Sequence, residues 1–292
     1  MAEAFSVVAG ALSVAALFNN CVGCFEYIQL GRHFAQDYQQ CQLKVDVART
    51  RLSRWGQAVA INQDPRFATS NPEVESVQQV QDILEEIDQL FQNLENASRR
   101  YTRRAKKEDV EHLQIQTMQP VAQKLHSRLS TIVSQRQKGT TFLKKAAWAL
   151  YDGKNFTKLV EQITGFVDDL EKLFPVEEAR RLLVEMEIEE INEDESSLRV
   201  LQNAATDTDS VLSKVVTERL EVCGGGQNYA KNIQSEEKAR VRVGNEWTEA
   251  ALSSPSSGLA NGTMNGADLV ASKGSSIVHI GNSYGGRGIF DD

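Results

Sequence analysis

The chain has 292 residues, of which 41% are hydrophobic and 7% aromatic, enough to bury a sizeable core in one or two domains. Its net charge of -8 argues against a nucleic-acid partner. The four cysteines, Cys21, Cys24, Cys41 and Cys223, have neither a disulfide framework nor a metal-ligand spacing, which favours a reducing, cytoplasmic setting at rest.

Residues 4–25 form the first predicted element, an uncharged stretch bounded by Glu3 and Glu26. A helix of that length would reach about 33 Å, enough to cross a hydrocarbon core, but Asn19 and Asn20 interrupt the apolar pattern. We therefore expect a helix that is buried in the resting protein and that can enter a membrane afterwards. The residues taken to make this membrane segment are Phe5, Gly10, Leu12, Ala15, Leu17 and Phe18.

Apolar residues recur at spacings of three, four and seven over most of the next two hundred residues, which predicts helices. The predicted helices span roughly 34–59, 77–94, 121–133, 143–150, 156–170 and, with breaks, 182–223. Only residues 110–116 suggest a short strand or hairpin. An acidic run from Glu185 to Glu195 is interpreted as an exposed helix face.

The helical pattern stops at Gly224, which predicts a domain boundary between residues 1–223 and residues 224–292. The second part carries one motif twice, as residues 228–248 and as residues 265–285, with an offset of 37 residues between Asn228 and Asn265. Such a repeat is typical of units that stack on one another, because each unit alone cannot bury its apolar face.

Matched charges in the two copies differ in sign, since Lys231 corresponds to Asp268. In a cross-β stack with about 4.7 Å between rungs, this alternation turns a column of side chains into a run of opposite charges. The predicted rung pairs are Asn228/Asn265, Lys231/Asp268, Glu236/Lys273, Val241/Val278 and Asn245/Asn282, with Gly244 and Gly281 in the turn that follows. The alternative is a glycine-rich disordered tail with two short strands.

No catalytic constellation emerges, because the histidines are scattered and no nucleophile motif or phosphate-binding glycine loop accompanies them. We therefore expect a protein that is not an enzyme, with no cofactor and no metal site. A soluble helical adaptor whose tail binds a partner is one function that fits this pattern.

Several stretches along the whole chain resemble one known family and occur in the same order as in that family. They are residues 5–12 and 17–21, the block 41–56 with Arg51-Leu52-Ser53-Arg54-Trp55-Gly56, the stretch 147–154, and Val243-Gly244-Asn245 with Ile280-Gly281-Asn282 in the tail. These stretches resemble the fungal HET-s/HET-S heterokaryon-incompatibility proteins. Residues 5–12, 17–21 and 41–56 resemble the HeLo domain of that family. The segment from Tyr284 to Phe290 is similar to that family's aromatic C-terminal loop.

The resemblance implies a mainly α fold, a helical-bundle HeLo domain. A prion-forming domain follows, disordered as a monomer, which assembles into a two-rung β-solenoid amyloid. In that family, templated stacking of the tail releases the N-terminal segment into the plasma membrane and kills the cell. The implied partners are further copies of the chain, related prion-forming domains or a receptor with a matching 21-residue motif, and membrane lipids after activation.

The family has toxic and non-toxic forms, and His33 bears on which form this is. A proline there would remove an N–H group and interrupt a helix running from Gly31 toward Phe34, whereas His33 can continue it. This favours a toxic, membrane-active form. A non-killing prion protein with the same tail is the alternative.

Overall fold

The computed structural model describes residues 12–105, 112–137, 147–191, 194–224, 228–244, 246–247, 265–281 and 283–284. The chain divides into two compact units, Met1–Val216 and Thr217–Asp292. In the described ranges, helices dominate the first unit and short parallel strand pairs make up most of the second.

The elements follow one another in this order. The helices are α1 (Val14–Cys24), α2 (Tyr38–Ala58), α3 (Glu75–Thr102), α4 (Pro120–Arg136), α5 (Gly153–Leu173), α6 (Glu177–Ile191), α7 (Glu195–Ala205) and α8 (Ser210–Gly224). The strands are β1 (Ile28–Leu30), β2 (Trp148–Leu150), β3 (Asn228–Ser235), β4 (Arg240–Val243), β5 (Glu246–Trp247), β6 (Asn265–Ser272), β7 (Ile277–Ile280) and β8 (Ser283–Tyr284). Short 3-10 turns lie at Phe25–Tyr27, Arg32–Phe34, Pro65–Phe67 and Ile115–Thr117.

The long helices form where one apolar stripe recurs at helical spacing. In α3 the stripe that includes Val77, Val80, Leu84 and Ile87 is buried, while the opposite face is polar. The Asp152 carboxylate caps the start of α5 by accepting from the Asn155 backbone N at 2.8 Å. The predicted helical bundle is confirmed.

A short helix around residues 143–150 was predicted, and this prediction is wrong for the part that the structure describes. Trp148–Leu150 is the strand β2, which pairs in parallel with β1, and residues 143–146 lie outside the described ranges. All three residues of β2 are buried, so they show no alternation that could have indicated a strand. The Ser98 hydroxyl accepts from the Ala149 N–H at 3.2 Å, outside the ladder.

Two further boundaries differ from the prediction. Helix α2 begins at Tyr38, not near Phe34, because a 3-10 turn and a further turn at residues 35–37 precede it. In the predicted strand of residues 110–116, only His112 makes a described bridge, antiparallel to Gly31, and a 3-10 turn begins at Ile115.

Buried arginines of α2 hold the helices together. Arg54 Nε and Nη2 donate to the two carboxylate oxygens of Glu187 at 2.9 and 2.7 Å, and its Nη1 donates to Asp209 at 2.7 Å. One turn away, Arg51 pairs with Asp168 and Glu171 of α5. The network joins α2 to α5, to α6 and to the residue that precedes α8.

The interpretation of the acidic run as an exposed face is therefore wrong at Glu187. Its side chain is buried, and it also accepts from Arg136 Nη2 at 2.7 Å. A carboxylate at this depth requires such partners, since an unpaired buried charge is strongly disfavoured. Neighbouring acids of the run, such as Glu185 and Glu189, lie on less enclosed faces of α6.

Candidate functional site

The two copies of the tail motif lie side by side as parallel strands. Strand β3 pairs with β6 so that Asn228 lies beside Asn265, and β4 pairs with β7 so that Val241 lies beside Val278. Strand β5 pairs with β8, and there Trp247 lies beside Tyr284. Every described pair in the three sheets has the same offset as the sequence repeat. Each copy therefore forms one rung.

Charged residues of opposite sign hold matching positions on the two rungs. Lys231 and Asp268 hold corresponding positions between paired residues of β3 and β6, and both are exposed. Just beyond these strands, Lys273 Nζ lies 3.7 Å from Glu236 Oε1, with both side chains largely in solvent. Exposed ion pairs add little stability, so their main effect is to disfavour registers that place like charges together.

Backbone conformation also repeats between the rungs. Gly244 has φ 140° and its counterpart Gly281 has φ 141°, conformations that a residue with a Cβ rarely adopts. Both were predicted in the turn that follows the strands. A second matched pair was not foreseen: Glu237 has φ 56° where the other rung has Gly274 with φ 69°.

Serine hydroxyls close the bend between β6 and β7. Ser276 Oγ lies 2.6 Å from Ser272 Oγ and donates to the Lys273 carbonyl oxygen at 2.9 Å. The buried Ser235 hydroxyl of the first rung donates to Ser276 Oγ at 3.1 Å. The identity of Ser235 and Ser272 in the repeat was visible in the sequence, but the role of Ser276 was not.

Some predicted tail residues fall outside the described ranges. These are Asn245, Asn282 and Phe290, whereas the backbone of Tyr284 is placed in β8. The amide ladder predicted for the second asparagine pair stays a prediction.

The N-terminal helix α1 is docked in the helical unit. Leu17 and Phe18 are buried, and the Phe18 ring lies 6.0 Å from the Trp55 ring of α2 between centroids. The contact depends on Gly56, because a Cβ there would lie 2.1 Å from Phe18 Cζ. Ala15 is half-buried, and Leu12 is exposed before the helix begins. Phe5 and Gly10 lie outside the described residues.

Polar side chains fix α1 at its middle. Asn19 Nδ2 donates to Asn62 Oδ1 at 2.8 Å, and Asn20 Nδ2 donates to Asp88 Oδ1 of α3 at 2.9 Å. These are the two amides that interrupt the apolar stretch in the sequence. Across the described ranges, every helix is too short or too polar to be a candidate membrane span.

His33 lies exposed in the 3-10 turn Arg32–Phe34, not in a longer helix. The turn closes through Phe34 N to the Gly31 oxygen at 3.1 Å and Ala35 N to the Arg32 oxygen at 3.1 Å. Neither bond uses the N–H of His33, and the φ of proline fits such a turn. The segment predicted to run as a helix from Gly31 toward Phe34 is thus a short 3-10 turn, which proline would also fit, and the argument from His33 that favoured a toxic form loses its basis.

In the described part of the chain, no group of histidine, cysteine and acidic side chains is placed to hold a metal ion. The geometry therefore identifies two candidate functional elements. One is the pair of stacked rungs, which can accept further strands, and the other is the docked helix α1.

Comparisons with known proteins agree with this division. The HeLo family, described as prion-inhibition and propagation, matches residues 6–201, and the family described as Het-s 218-289 matches residues 223–285. Heterokaryon incompatibility proteins S and s of Podospora anserina are each 49% identical to the chain over 292 residues, covering all of both chains.

Solved structures of the HET-s N-terminal domain are similar as well. One has a TM-score of 0.71 at 50% identity and covers 73% of this chain and 99% of that one. A double mutant of the same domain has a TM-score of 0.70 at 50% identity, covering 73% of this chain and all of that one. By its helical part and its paired rungs alike, this chain belongs to the HeLo and HET-s family of heterokaryon incompatibility proteins.

Proposed function

We propose that the chain is an amyloid-triggered effector of cell death in heterokaryon incompatibility and that it acts by disrupting the plasma membrane. The observation that supports this most is the shared offset of three parallel strand pairs. Because the two rungs match each other, an incoming third rung meets the same pattern of side chains and backbone groups. Self-assembly, which the family implies, follows from this geometry.

The second rung favours stacking. Its side chains Leu269, Val270, Ile277 and Ile280 are each at least 40% exposed. A first rung from another copy would cover the edge of β6 and β7 and remove part of this apolar surface from water. The occupant is another copy of the chain, or a receptor that carries a related 21-residue motif.

The proposed effector element is residues 4–25, of which the structure describes the second half as α1. The 11 residues of α1 would span only about 16 Å, roughly half of a hydrocarbon core. Insertion therefore requires the full uncharged stretch, released from the bundle. We place the protein in the cytoplasm at rest and at the plasma membrane after activation.

The release must break a small set of contacts. Phe18 would leave Trp55, and the amides of Asn19 and Asn20 would lose Asn62 and Asp88. Amides are costly in lipid without partners, so α1 has to self-associate or find other hydrogen bonds once inserted. This explains why the same segment is stable when docked and is a poor permanent anchor.

The test is dye leakage from liposomes after fibres of residues 225–292 are added as seeds to the full chain. Ala15→Asp places a charge on the inserting helix, at a cost of about 3 kcal/mol near the bilayer centre. At rest the change is mild, because Ala15 is half-buried in the first turn of α1, where an acidic group suits the helix dipole. Leakage should be abolished while seeded fibre formation persists.

The matched control is Ala97→Asp, the same change at a half-buried position of α3. It should leave leakage intact. A second control breaks the trigger: Lys231→Glu should slow both assembly and leakage, and adding Asp268→Lys should restore them. Leakage by Ala15→Asp at the unmodified rate would exclude α1 as the membrane element. Absence of leakage from the unmodified chain would favour the non-killing prion or the adaptor.

A further inference from the structure

A polar cavity lies where α1, α2 and the end of α4 meet. Its volume is about 270 Å³, and the lining includes Phe18, Ser53, Gln57, Asn62 and Arg136. At about 30 Å³ for each water molecule in the liquid, the space would hold a tetrahedral oxyanion together with a few waters. The lining is mostly polar although the site adjoins the hydrophobic contact between Phe18 and Trp55.

Two buried donors on this cavity have no hydrogen-bond partner within the described ranges. One is the hydroxyl of Ser53, a residue that is 1% exposed. The other is Nη1 of Arg136, whose side chain is 9% exposed. The remaining nitrogens of Arg136 are used, since Nε donates to Gln57 Oε1 and Nη2 to Glu187 Oε1. Buried donors without partners are rare in folded proteins and point to a missing acceptor.

The charge of Arg136 is also incompletely compensated. Its carboxylate partner, Glu187, is shared with Arg54, which makes two hydrogen bonds to it. Burial lowers the pKa of Arg136, and Arg54 lowers it further, even though Glu187 acts in the opposite direction. Glu190 is the other acidic group that acts on this guanidinium. An anion in the cavity would stabilise the charged form.

We propose that this cavity is a binding site for a small oxyanion of the phosphate class, held by Arg136 Nη1 and the Ser53 hydroxyl. A phosphate oxygen can accept from both donors, and guanidinium groups suit phosphate geometry. The same chemistry is offered by free phosphate and by the phosphate of a glycerophosphate headgroup. The site requires no rearrangement of the ion pairs already described.

Occupation of the site would stabilise the docked position of α1. Phe18 of α1 forms part of the cavity wall, and Asn62, another lining residue, accepts from Asn19 of α1. A ligand that binds only this arrangement shifts the population toward it. This consequence concerns the resting protein and does not depend on membrane disruption.

The test uses the freshly purified full chain, without seeds or vesicles. Inorganic phosphate is titrated by calorimetry at constant ionic strength, and hydrogen exchange is followed in residues 14–24. We expect saturable binding and slower exchange in α1. Ser53→Ala should weaken binding about five- to tenfold, which corresponds to the loss of one hydrogen bond. Arg136→Gln should remove saturable binding.

Ser53→Ala keeps the test decisive if Arg136→Gln fails to fold. The hydroxyl has no partner to lose in the described ranges, so its removal should not destabilise the ligand-free protein. Arg66→Gln is the control, because Arg66 is an exposed arginine that pairs with Asp64 and lies over the Phe67 and Phe174 rings, and it does not line the cavity. It should bind phosphate like the unmodified chain.

Two results would overturn the proposal. One is an absence of saturable phosphate binding by the unmodified chain, and the other is binding by Ser53→Ala equal to that of the unmodified chain, which would show adventitious surface binding. Glycerol 3-phosphate is then titrated alongside inorganic phosphate. Tighter binding of the ester would identify a lipid headgroup as the source, and equal or weaker binding would identify free phosphate.

Discussion

The helical unit and the stacked tail bury their side chains in different ways. In Met1–Val216 the enclosed groups include Trp55 and Arg54, each with specific partners from distant parts of the chain. Among the described residues of the tail, Ile233 and Ser235 are buried, whereas Leu269 and Ile277 of the second rung are exposed. The tail relies on parallel backbone ladders, which a further rung can extend.

This difference indicates what each part needs in order to be stable. The helical unit is largely closed on itself, because its buried ion pairs are made within the unit, although Nη1 of Arg136 has no partner in the described ranges. The described rungs leave apolar surface on one side that another copy would cover. Changes in the interior of the helical unit should therefore act on unfolding, and changes in the rungs should act on assembly.

The largest expected effect comes from Arg54→Met. The substitution removes the arginine that pairs with the buried carboxylate of Asp209, and of its two described arginine partners Glu187 keeps Arg136. Removing one member of a buried ion pair costs about 3–5 kcal/mol. Urea unfolding of the full chain, followed by far-UV circular dichroism, should show this loss.

The matched control for that loss is Arg199→Met. Arg199 pairs with Glu195 on the exposed face of α7, and such a pair contributes about 0.3–0.5 kcal/mol. The fragment of residues 225–292 contains neither site. Its rate of fibre growth is the reference for fibre growth by the full chain. An unchanged unfolding free energy in Arg54→Met would contradict the view that the interior ion pairs close the helical unit.

A smaller loss is expected for Gly56→Ala. The new methyl group would meet the Phe18 ring, and overpacking of this kind costs about 1–3 kcal/mol. Because the clash is with α1, hydrogen exchange should increase in residues 14–24 more than in α3 or α5. Gly165→Ala is the control: its Cβ would meet nothing within 4 Å, and alanine in a helix interior should raise stability by about 0.5–1 kcal/mol. Uniform destabilisation without preferential opening of α1 would show that the Phe18 contact with α2 does not specifically hold α1 in place.

The parts of the fold that could be predicted are those where one local pattern decides the outcome. The apolar residues of α3 recur at helical spacing over many turns. In the tail, the identical residues of the two copies, such as Asn228 and Asn265, fix the register of the strands. Strand β2 could not be predicted, since three buried residues show no period. Its strand character depends on pairing with Ile28–Leu30, more than a hundred residues earlier.

The buried charges show the same limit. Glu187 stands in an acidic run that resembles a solvated helix face, and its partner Arg54 lies 133 residues away. The Ser53 and Arg136 donors on the cavity were equally hidden, because only the packing of three helices brings them together. Sequence patterns report which face of a helix is apolar, but they do not report which polar residues find partners inside.

A change confined to the rungs is Glu237→Gly. Glu237 has a positive φ where the other rung has Gly274, and a residue with a Cβ in this region costs about 1 kcal/mol. Glycine should therefore speed seeded fibre growth and leave urea unfolding of the helical unit unchanged. Gly274→Ala is the mirror control and should slow growth, since its Cβ would lie 3.1 Å from the Glu237 Cα. Slower growth of Glu237→Gly would show that this side chain contributes more than its backbone strain costs.

The smallest expected effect is a pH dependence confined to the helical unit. His126 of α4 lies with Nδ1 2.7 Å from Asp46 Oδ2 of α2. This hydrogen bond raises the pKa of His126, against the effects of burial and of Arg49, while the charge of Asp46 adds to the increase. The folded protein therefore keeps the proton at pH values where the unfolded chain has released it. The pair stabilises fully below the unfolded pKa of about 6.5, and this contribution is lost as the pH rises through the higher folded pKa.

The measurement compares the unmodified chain with His126→Gln by urea unfolding at about pH 6 and about pH 8.5, on either side of the ordinary histidine pKa. The stability difference between the two proteins should be larger at the lower pH, and using a difference cancels the titration of all other groups. Seeded fibre growth by the two proteins should agree at each pH, because His126 lies in α4 and not in the rungs. A stability difference that is constant or grows with pH would show that the pair with Asp46 is not protonated in the folded state, and unequal fibre growth would show that the helical unit limits assembly.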